Sequence, residues 1–206
     1  MPRMKLVMIG NGMAGVRVLE ELLKIAPDLH DITVFGAEPH PNYNRIMLSP
    51  VLAGEQTLDQ IVLNPLSWYA QHGITLHLGT TVTTIDRARR QVIATRADGT
   101  TISARYDRLI LATGSTPFIP PVPGHRLEGV IAYRDIADTE AMIEAARTRR
   151  HAVVVGGGLL GLEAANGLKL RGMEVTVVHL GAWLLDRQLD PTAGRLLQQA
   201  LEARGL

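Results

Sequence analysis

Apolar residues near the start of the chain form a short run, then a helix-like spacing, then a second run. The run MKLVMI at 4–9 ends at a glycine, and apolar residues at 16, 19, 22 and 23 follow with the spacing of one helix face. The second run, DITVF, occupies 31–35. A strand, a helix and a strand in this order predict a β-α-β unit with parallel strands.

The same pattern returns late in the chain. The run HAVVV at 151–155 is followed by helix-like spacing that stops at Gly172, and EVTVVHL occupies 174–180. These features predict a second β-α-β unit. Asp190, Pro191 and Gly205 are then placed as the N-cap, first residue and C-cap of a further helix. The sequence ends where another strand is expected, so this second domain is expected to be incomplete at its C-terminus.

The region between the two units has a different pattern of apolar and polar residues. Short, partly alternating segments and an Asp98-Gly99 turn predict a small antiparallel meander; the segments are GITLHLG at 73–79, TVTTID at 81–86, RQVIAT at 90–95 and TTISARY at 100–106. A buried strand is then predicted in YDRLILATG at 106–114. The prolines of GSTPFIPPVPG at 114–124 predict a stiff, extended crossing between two domains.

Each predicted unit carries G-x-G-x-x-G between its first strand and its helix, as GNGMAG at 10–15 and as GGGLLG at 156–161. In this pattern the first glycine allows a tight turn, the second admits a pyrophosphate, and the third lets helix and strand pack. Backbone N–H groups and the positive end of the helix dipole then hold the anion. The predicted cofactor-binding residues of the two motifs are Gly10, Gly12, Met13, Ala14, Gly15, Gly156, Gly158, Leu159, Leu160 and Gly161.

The two motifs predict an α/β fold with two Rossmann-like dinucleotide-binding domains, over 1–118 and 119–206, and an inserted β-meander. An acidic residue about 20 positions after such a motif contacts the adenosine ribose. Glu38 is the candidate after the first motif, whereas His179 stands at that place after the second. A histidine is no fixed carboxylate acceptor, and it either tolerates a 2′-phosphate or faces solvent. The choice between NADH and NADPH stays open.

Composition narrows the possible chemistry. The net charge is +1, so neither nucleic acid nor an anionic membrane is indicated as a partner, and no apolar run approaches the roughly 20 residues of a membrane span. The absence of cysteine excludes thiolate catalysis and cysteine-ligated zinc or iron–sulfur sites within these residues, and fits a cytoplasmic protein. No metal site is predicted, because the remaining histidines lack metal-ligand spacing; they include His72, His77, His125 and His151.

Three segments in this order, GNGMAG, ATGSTP at 112–117 and GGGLLGLE at 156–163, resemble the two-dinucleotide flavoprotein reductases of the glutathione-reductase-like group. The resemblance implies that the first motif binds FAD and the later motif binds NAD(P)H. It also implies that Ala112, Thr113 and Gly114 close over the FAD. Many relatives carry an acid where this chain has Ala37, so the ribose contact of Glu38 is expected to shift by one position.

A further segment, PNYNRIMLSPVLAGE at 41–55, resembles the ferredoxin- and rubredoxin-reductase branch, and implies that Arg45 contacts the flavin cofactor. Together with RQLDPTAG at 187–194, these segments resemble the N-terminal reductase part of assimilatory NAD(P)H nitrite reductase large subunits. Pro50 stands where ferredoxin reductases have a lysine, which leaves Glu163 without that partner. The resemblance implies that Glu163 lies near the flavin–nicotinamide junction, as the candidate catalytic residue.

The resemblance implies hydride transfer from NAD(P)H to flavin, followed by single-electron transfer to an iron centre. In the full-length family that centre is an iron–sulfur cluster and sirohaem, supplied by downstream domains or by an acceptor protein. A homodimer is left open. Two alternatives remain: a flavoenzyme of the rubredoxin- or ferredoxin-reductase type, and a dinucleotide-binding or subunit-contact module without turnover.

Overall fold

The computed structural model describes residues 3–206. Six α-helices lie in this part of the chain: α1 (Met13–Ile25), α2 (Leu48–Ala53), α3 (Leu66–Gln71), α4 (Ile136–Thr148), α5 (Leu159–Leu170) and α6 (Pro191–Ala203). The strands are β1 (Met4–Ile9), β2 (His30–Phe35), β3 (Asn42–Tyr43), β4 (Val62–Asn64), β5 (Thr75–His77), β6 (Thr80–Asp86), β7 (Gln91–Arg96), β8 (Thr101–Arg105), β9 (Arg108–Leu111), β10 (His151–Val155) and β11 (Glu174–Val178). Short 3₁₀ turns occupy Arg45–Met47 and Asp59–Ile61.

The described chain forms two compact units. The first contains the residues up to Asn44 and Val62–Thr116, and the second contains Arg45–Ile61 and Pro117–Leu206. The predicted domain boundary after residue 118 therefore lies two residues from the boundary between these units, and it differs from them by the segment 45–61 as well. This segment belongs with the second unit because α2 packs on α4 and α5, where Leu52 is fully buried among their apolar side chains.

The first unit is built on a four-stranded sheet with the order β5-β2-β1-β9. All three pairings are parallel, which confirms the predicted β-α-β unit of β1, α1 and β2. Met8, Leu19 and Val34 are completely buried between the sheet and α1. The helix is amphipathic and places its apolar residues on this core, so the fold follows directly from the sequence pattern.

Two strand predictions in this unit need correction. The segment at 73–79 was expected in the meander, but β5 pairs in parallel with β2, because Ile74 and Leu76 pack into the core below the sheet. The segment at 106–114 was expected to be a buried strand. It forms only β9, and Leu111 is 63% exposed because this strand lies at the sheet edge.

The remaining meander is observed as an antiparallel three-stranded sheet, β6-β7-β8. Val92 and Ala94 of its central strand are completely buried and pack against the four-stranded sheet through residues that include Val7 and Phe35. Two asparagines form a further short antiparallel pair, since Asn42 of β3 lies opposite Asn64 of β4. The meander therefore covers one face of the sheet and leaves the carboxyl ends of its strands to the loops.

The second unit contains the predicted second β-α-β unit. β10 and β11 pair in parallel, and α5 packs on them through a buried face that includes Ala165 and Leu168. The proline-rich segment forms no helix or strand, as predicted. Asp190 caps α6 by accepting hydrogen bonds from the backbone N–H groups of residues 192 and 193, and Gly205 follows the helix with a φ of 84°. None of the helices at 3–206 is long and apolar enough to cross a membrane.

Candidate dinucleotide-binding sites

The first glycine loop joins β1 to α1 in a conformation that requires glycine. Gly10 has a φ of 108°, and a Cβ at this position would lie 2.1 Å from the Ala112 carbonyl oxygen. Its N–H donates to the carbonyl of Phe35, the last residue of the neighbouring strand, at 2.8 Å. A Cβ at Gly15 would lie 2.9 Å from the Ala112 Cβ. Both glycines therefore allow the loop and the helix to approach the sheet closely.

The second glycine loop repeats this geometry between β10 and α5. Gly156 has a φ of 122°, and its N–H donates to the carbonyl of Val178, again the last residue of the neighbouring strand, at 2.8 Å. A Cβ at Gly161 would lie only 1.9 Å from the Gly156 carbonyl oxygen. The two motifs thus share one construction, although they lie in different units.

The middle glycines of both motifs face open space, unlike Gly10, Gly15 and Gly161. Gly12 and Gly158 have extended backbones with φ values of −85° and −87°, and a Cβ at either would meet nothing within 4 Å. Each is the N-cap of its helix, and neither helix has an acidic residue in its first turn. By contrast, the side chains of Asp135 and Asp190 cap α4 and α6.

The first N–H groups of a helix have no intrahelical partners, and a glycine N-cap supplies no side-chain acceptor for them. These two helix N-termini are therefore suited to hold an anion against the backbone. The predicted residues in the first turns, Met13, Ala14, Leu159 and Leu160, lie at these two ends, and both leucines are more than half exposed. Their contact with a dinucleotide stays a prediction.

The Ala-Thr-Gly segment lies on the first glycine loop. The Ala112 N–H donates to the Ile9 carbonyl at 2.8 Å, which extends the pairing of β9 with β1 by one residue. Gly114 follows with a φ of 73°, so the chain turns as it leaves the sheet. The structure therefore brings Ala112 together with Gly10, and the contact of this segment with FAD stays a prediction.

Glu38 is held by a neighbouring tyrosine. The Tyr43 hydroxyl donates to Glu38 Oε2 at 2.6 Å, and Tyr43 itself is buried. The segment that precedes Glu38 runs beside the first glycine loop, since a Cβ at Gly36 would lie 3.0 Å from the Asn11 Cβ. Ala37 is exposed and carries no polar group. The ribose contact predicted for Glu38 is therefore compatible with its place in the unit and remains untested.

Glu163 has a partner that the sequence did not reveal. The Ser49 hydroxyl donates to Glu163 Oε2 at 2.5 Å, and the Tyr133 hydroxyl donates to Ser49 Oγ at 3.0 Å. Burial raises the pKa of Tyr133, so this hydroxyl stays a donor. Pro50 provides no ammonium group for Glu163. The preceding residue, Ser49, donates a hydrogen bond to the Glu163 carboxylate instead. The three side chains form one hydrogen-bonded row within the second unit.

Arg45 lies at the N-terminus of α4. Its Nη1 donates to the Arg134 carbonyl oxygen at 2.6 Å. Burial and the neighbouring Asp135 carboxylate raise the pKa of Asp138 in the cap of this helix, and the Arg45 guanidinium opposes that shift. The predicted contact of Arg45 with flavin stays a prediction.

The match to known proteins covers nearly the whole chain. The family model described as pyridine nucleotide-disulphide oxidoreductase matches residues 4–206. The chain belongs to this family. Members are NAD(P)H oxidoreductases that use FAD and NAD(P)H.

Among pyridine nucleotide-disulphide oxidoreductases, two relatives from Bacillus subtilis (strain 168) show high identity over all 206 residues. Nitrite reductase [NAD(P)H] is 53% identical, and assimilatory nitrate reductase electron transfer subunit is 52% identical. The chain spans only 25% and 26% of their respective lengths. The predicted resemblance to NAD(P)H nitrite reductases is therefore confirmed.

The fold is also found in a solved structure, the NAD-dependent persulfide reductase from A. fulgidus. It superposes with a TM-score of 0.90 at 30% identity, over 98% of this chain and 39% of that one. Structural relatives at this level confirm the predicted Rossmann-like α/β architecture.

The residues of the two loops fit the dinucleotides of the family. The open space at Gly12 and Gly158 lies directly at a helix N-terminus, where a pyrophosphate requires close approach to the backbone. The described residues contain no group of three or more histidine, aspartate or glutamate side chains that could hold a metal ion.

His179 follows β11 and lies against the second glycine loop. Its Nδ1 accepts a hydrogen bond from the Gly157 N–H at 3.1 Å, and its side chain is 17% exposed. A solvent-facing histidine was one expected alternative, and it is wrong because the imidazole packs on the loop. A Cβ at Gly157 would lie 2.9 Å from His179 Cγ, so the central glycine of GGG makes room for this ring.

Sequence reasoning missed two residues at the first loop. The Tyr69 hydroxyl donates to Asn11 Oδ1 at 2.8 Å, and Asn11 Nδ2 donates to the His40 carbonyl at 3.4 Å. Burial raises the pKa of Tyr69, which is only 2% exposed. A polar residue inside the first glycine motif was the only signal in the sequence. Asn11 and Tyr69 therefore fix the position of this loop over the core.

Proposed function

We propose that this chain is an FAD-dependent NAD(P)H oxidoreductase module of the assimilatory nitrite reductase type, which passes electrons from NAD(P)H through FAD to an iron centre. The observation that carries the proposal is the presence of two glycine loops of one construction, each open at its middle glycine. A single-nucleotide enzyme needs one such loop, whereas a reductase that couples two dinucleotides needs two.

The residues have distinct proposed roles. The loop at Gly10, Gly12 and Gly15, with Ala112, holds the pyrophosphate of FAD, and Glu38 meets its ribose. The loop at 156–161 holds the nicotinamide nucleotide, while Arg45 contacts flavin and Glu163 orients the reacting groups. When bound, the two cofactors supply hydride and single-electron chemistry, and the protein supplies binding, orientation and electrostatics. No side chain is required as a nucleophile.

The test begins with the purified 206-residue chain, reconstituted with FAD and examined by visible absorption. The proposal expects a stoichiometric flavin spectrum that anaerobic NADH or NADPH bleaches. Ferricyanide, which accepts single electrons, is then expected to restore the absorption. A chain that holds no flavin and binds neither nucleotide is a non-catalytic module at most, and that result would contradict the proposal.

A second candidate differs in the final acceptor. The chain is almost equally similar to the nitrate reductase electron transfer subunit, at 52% identity, which supports a separate acceptor protein as the second candidate beside a fused domain. A reductase of the rubredoxin or ferredoxin type is the remaining alternative, although Pro50 departs from its ferredoxin branch. Assays with nitrite, and with nitrate in the presence of a separate nitrate-reducing acceptor protein, separate the first two candidates, and turnover with rubredoxin alone supports the third. A cytoplasmic location is part of the proposal, and the homodimer stays open.

A further inference from the structure

The segment after β11 makes two hydrogen bonds with the second glycine loop, one to each backbone polar group of Gly157. The Gly157 N–H donates to His179 Nδ1 at 3.1 Å, and the Leu185 N–H donates back to the Gly157 carbonyl at 3.0 Å. A Cβ at Gly157 would also lie 2.6 Å from Leu184 Cδ2. Residues 179–185 therefore form one wall of the loop.

This wall ends in a strained residue. Leu185 has a φ of 54°, a conformation that branched, bulky side chains rarely adopt. The turn carries Asp186 back toward the strand end, where its Oδ1 lies 3.7 Å from His179 Nε2. A Cβ at Gly181 would lie 2.7 Å from both side chains, so glycine is required where the backbone covers this pair.

The hydrogen bond from Gly157 fixes the tautomer of His179. Because Nδ1 accepts, the proton of the neutral ring is on Nε2, which faces Asp186. Nε2 is buried and has no hydrogen-bond partner within residues 3–206. The Asp186 side chain, in contrast, is 41% exposed. The imidazole thus orients toward a carboxylate that remains accessible to a ligand.

We propose that Asp186, positioned by His179, supplies the carboxylate for the adenosine ribose and makes NADH the preferred donor over NADPH. An ionised carboxylate accepts a hydrogen bond from a ribose 2′-hydroxyl, but it repels a 2′-phosphate. His179 occupies the strand-end position where an acidic residue is expected. Asp186, whose Oδ1 lies 3.7 Å from His179 Nε2, provides a negative charge beside that position. This inference rests on the proposed role of the second loop as the nicotinamide-nucleotide site.

The test measures the Kd values of NADH and NADPH for the 206-residue chain by isothermal titration calorimetry. Wild type is expected to bind NADH at least about tenfold more tightly, the discrimination that repulsion between a carboxylate and a phosphate at close range supplies. D186N is expected to reduce this ratio about tenfold, mainly through tighter NADPH binding. G181A, which displaces the pair while keeping both side chains, is expected to change the ratio in the same direction.

E144Q, which removes an exposed carboxylate from α4, is the matched control and is expected to keep the wild-type ratio. Unfolding midpoints without nucleotide verify that each variant is folded. A wild-type ratio near one, an unchanged ratio in folded D186N, or a preference for NADPH through the neighbouring Arg187 would overturn this inference alone. Failure of wild type to bind either nucleotide would overturn the proposed role of the second loop, and the inference with it.

Discussion

Replacement of Gly161 with alanine is expected to destabilise the second unit by about 1–2 kcal/mol. The new Cβ would lie 1.9 Å from the Gly156 carbonyl oxygen, whereas real Cβ contacts are essentially never under 3.0 Å. Both atoms belong to rigid backbone, so α5 must move away from β10 by about 1 Å. Overpacking of this kind costs about 1–3 kcal/mol, and the loss of glycine flexibility in the unfolded chain recovers only about 0.4–1 kcal/mol.

Gly158 provides the matched control three residues earlier. Its backbone is extended, with a φ of −87°, and a Cβ there meets nothing within 4 Å. Alanine is a poorer N-cap by about 0.5–1 kcal/mol, but the entropic gain offsets this, so G158A is expected to change stability by less than about 0.5 kcal/mol. Urea unfolding followed by circular dichroism gives both free energies. Equal stabilities of G161A and G158A would refute the contact argument.

Three further changes test other parts of the structure. L52A removes a completely buried side chain and is expected to cost about 2–5 kcal/mol, whereas L196A, at a site 62% exposed, should stay within about 0.5 kcal/mol in the same urea assay. Burial lowers the pKa of His77 from its ordinary value of 6.5, so the unfolded chain binds a proton at this histidine more readily than the folded chain does. The contribution of neutral His77 to the free energy of unfolding is therefore complete above about pH 6.5 and is lost as the pH falls below that value. The free energy of unfolding of H77Q should therefore fall further below that of wild type near pH 7.5 than near pH 5. A double-mutant cycle of S49A and E163Q is expected to give a coupling of about 0.5 kcal/mol, because Glu163 is exposed, and a coupling of zero would contradict the hydrogen bond.

Local patterns of apolar residues and glycines in the sequence predicted most of the fold. The run at 4–9 became β1, and the glycines at 156 and 161 became a tight loop, because each depends on a few neighbouring residues. The position of β5 did not follow from the sequence. Its apolar residues alternate like those of the meander, and only the core below the first sheet decides its partner.

The same limit applies to the candidate site. The glycines could be predicted because their role is set by backbone geometry. The partner of Glu163 could not, since Ser49 is 114 residues away and reaches it only after α2 packs on α5. The sequence predicted that His179 lies at the strand end, but it did not predict the hydrogen bond between His179 and Gly157. That contact depends on a ring orientation that the following loop determines.

The two glycine loops are proposed to bind different nucleotides, and two single substitutions test this difference. G12A and G158A each place a methyl group in open space at one helix N-terminus, so both are expected to fold normally. Flavin content after reconstitution with FAD, and the Kd of NADH measured on each variant, are then compared with wild type. G12A is expected to lose flavin and keep NADH binding, while G158A keeps flavin and loses NADH binding. Loss of both ligands in both variants, or of neither, would contradict the proposed difference.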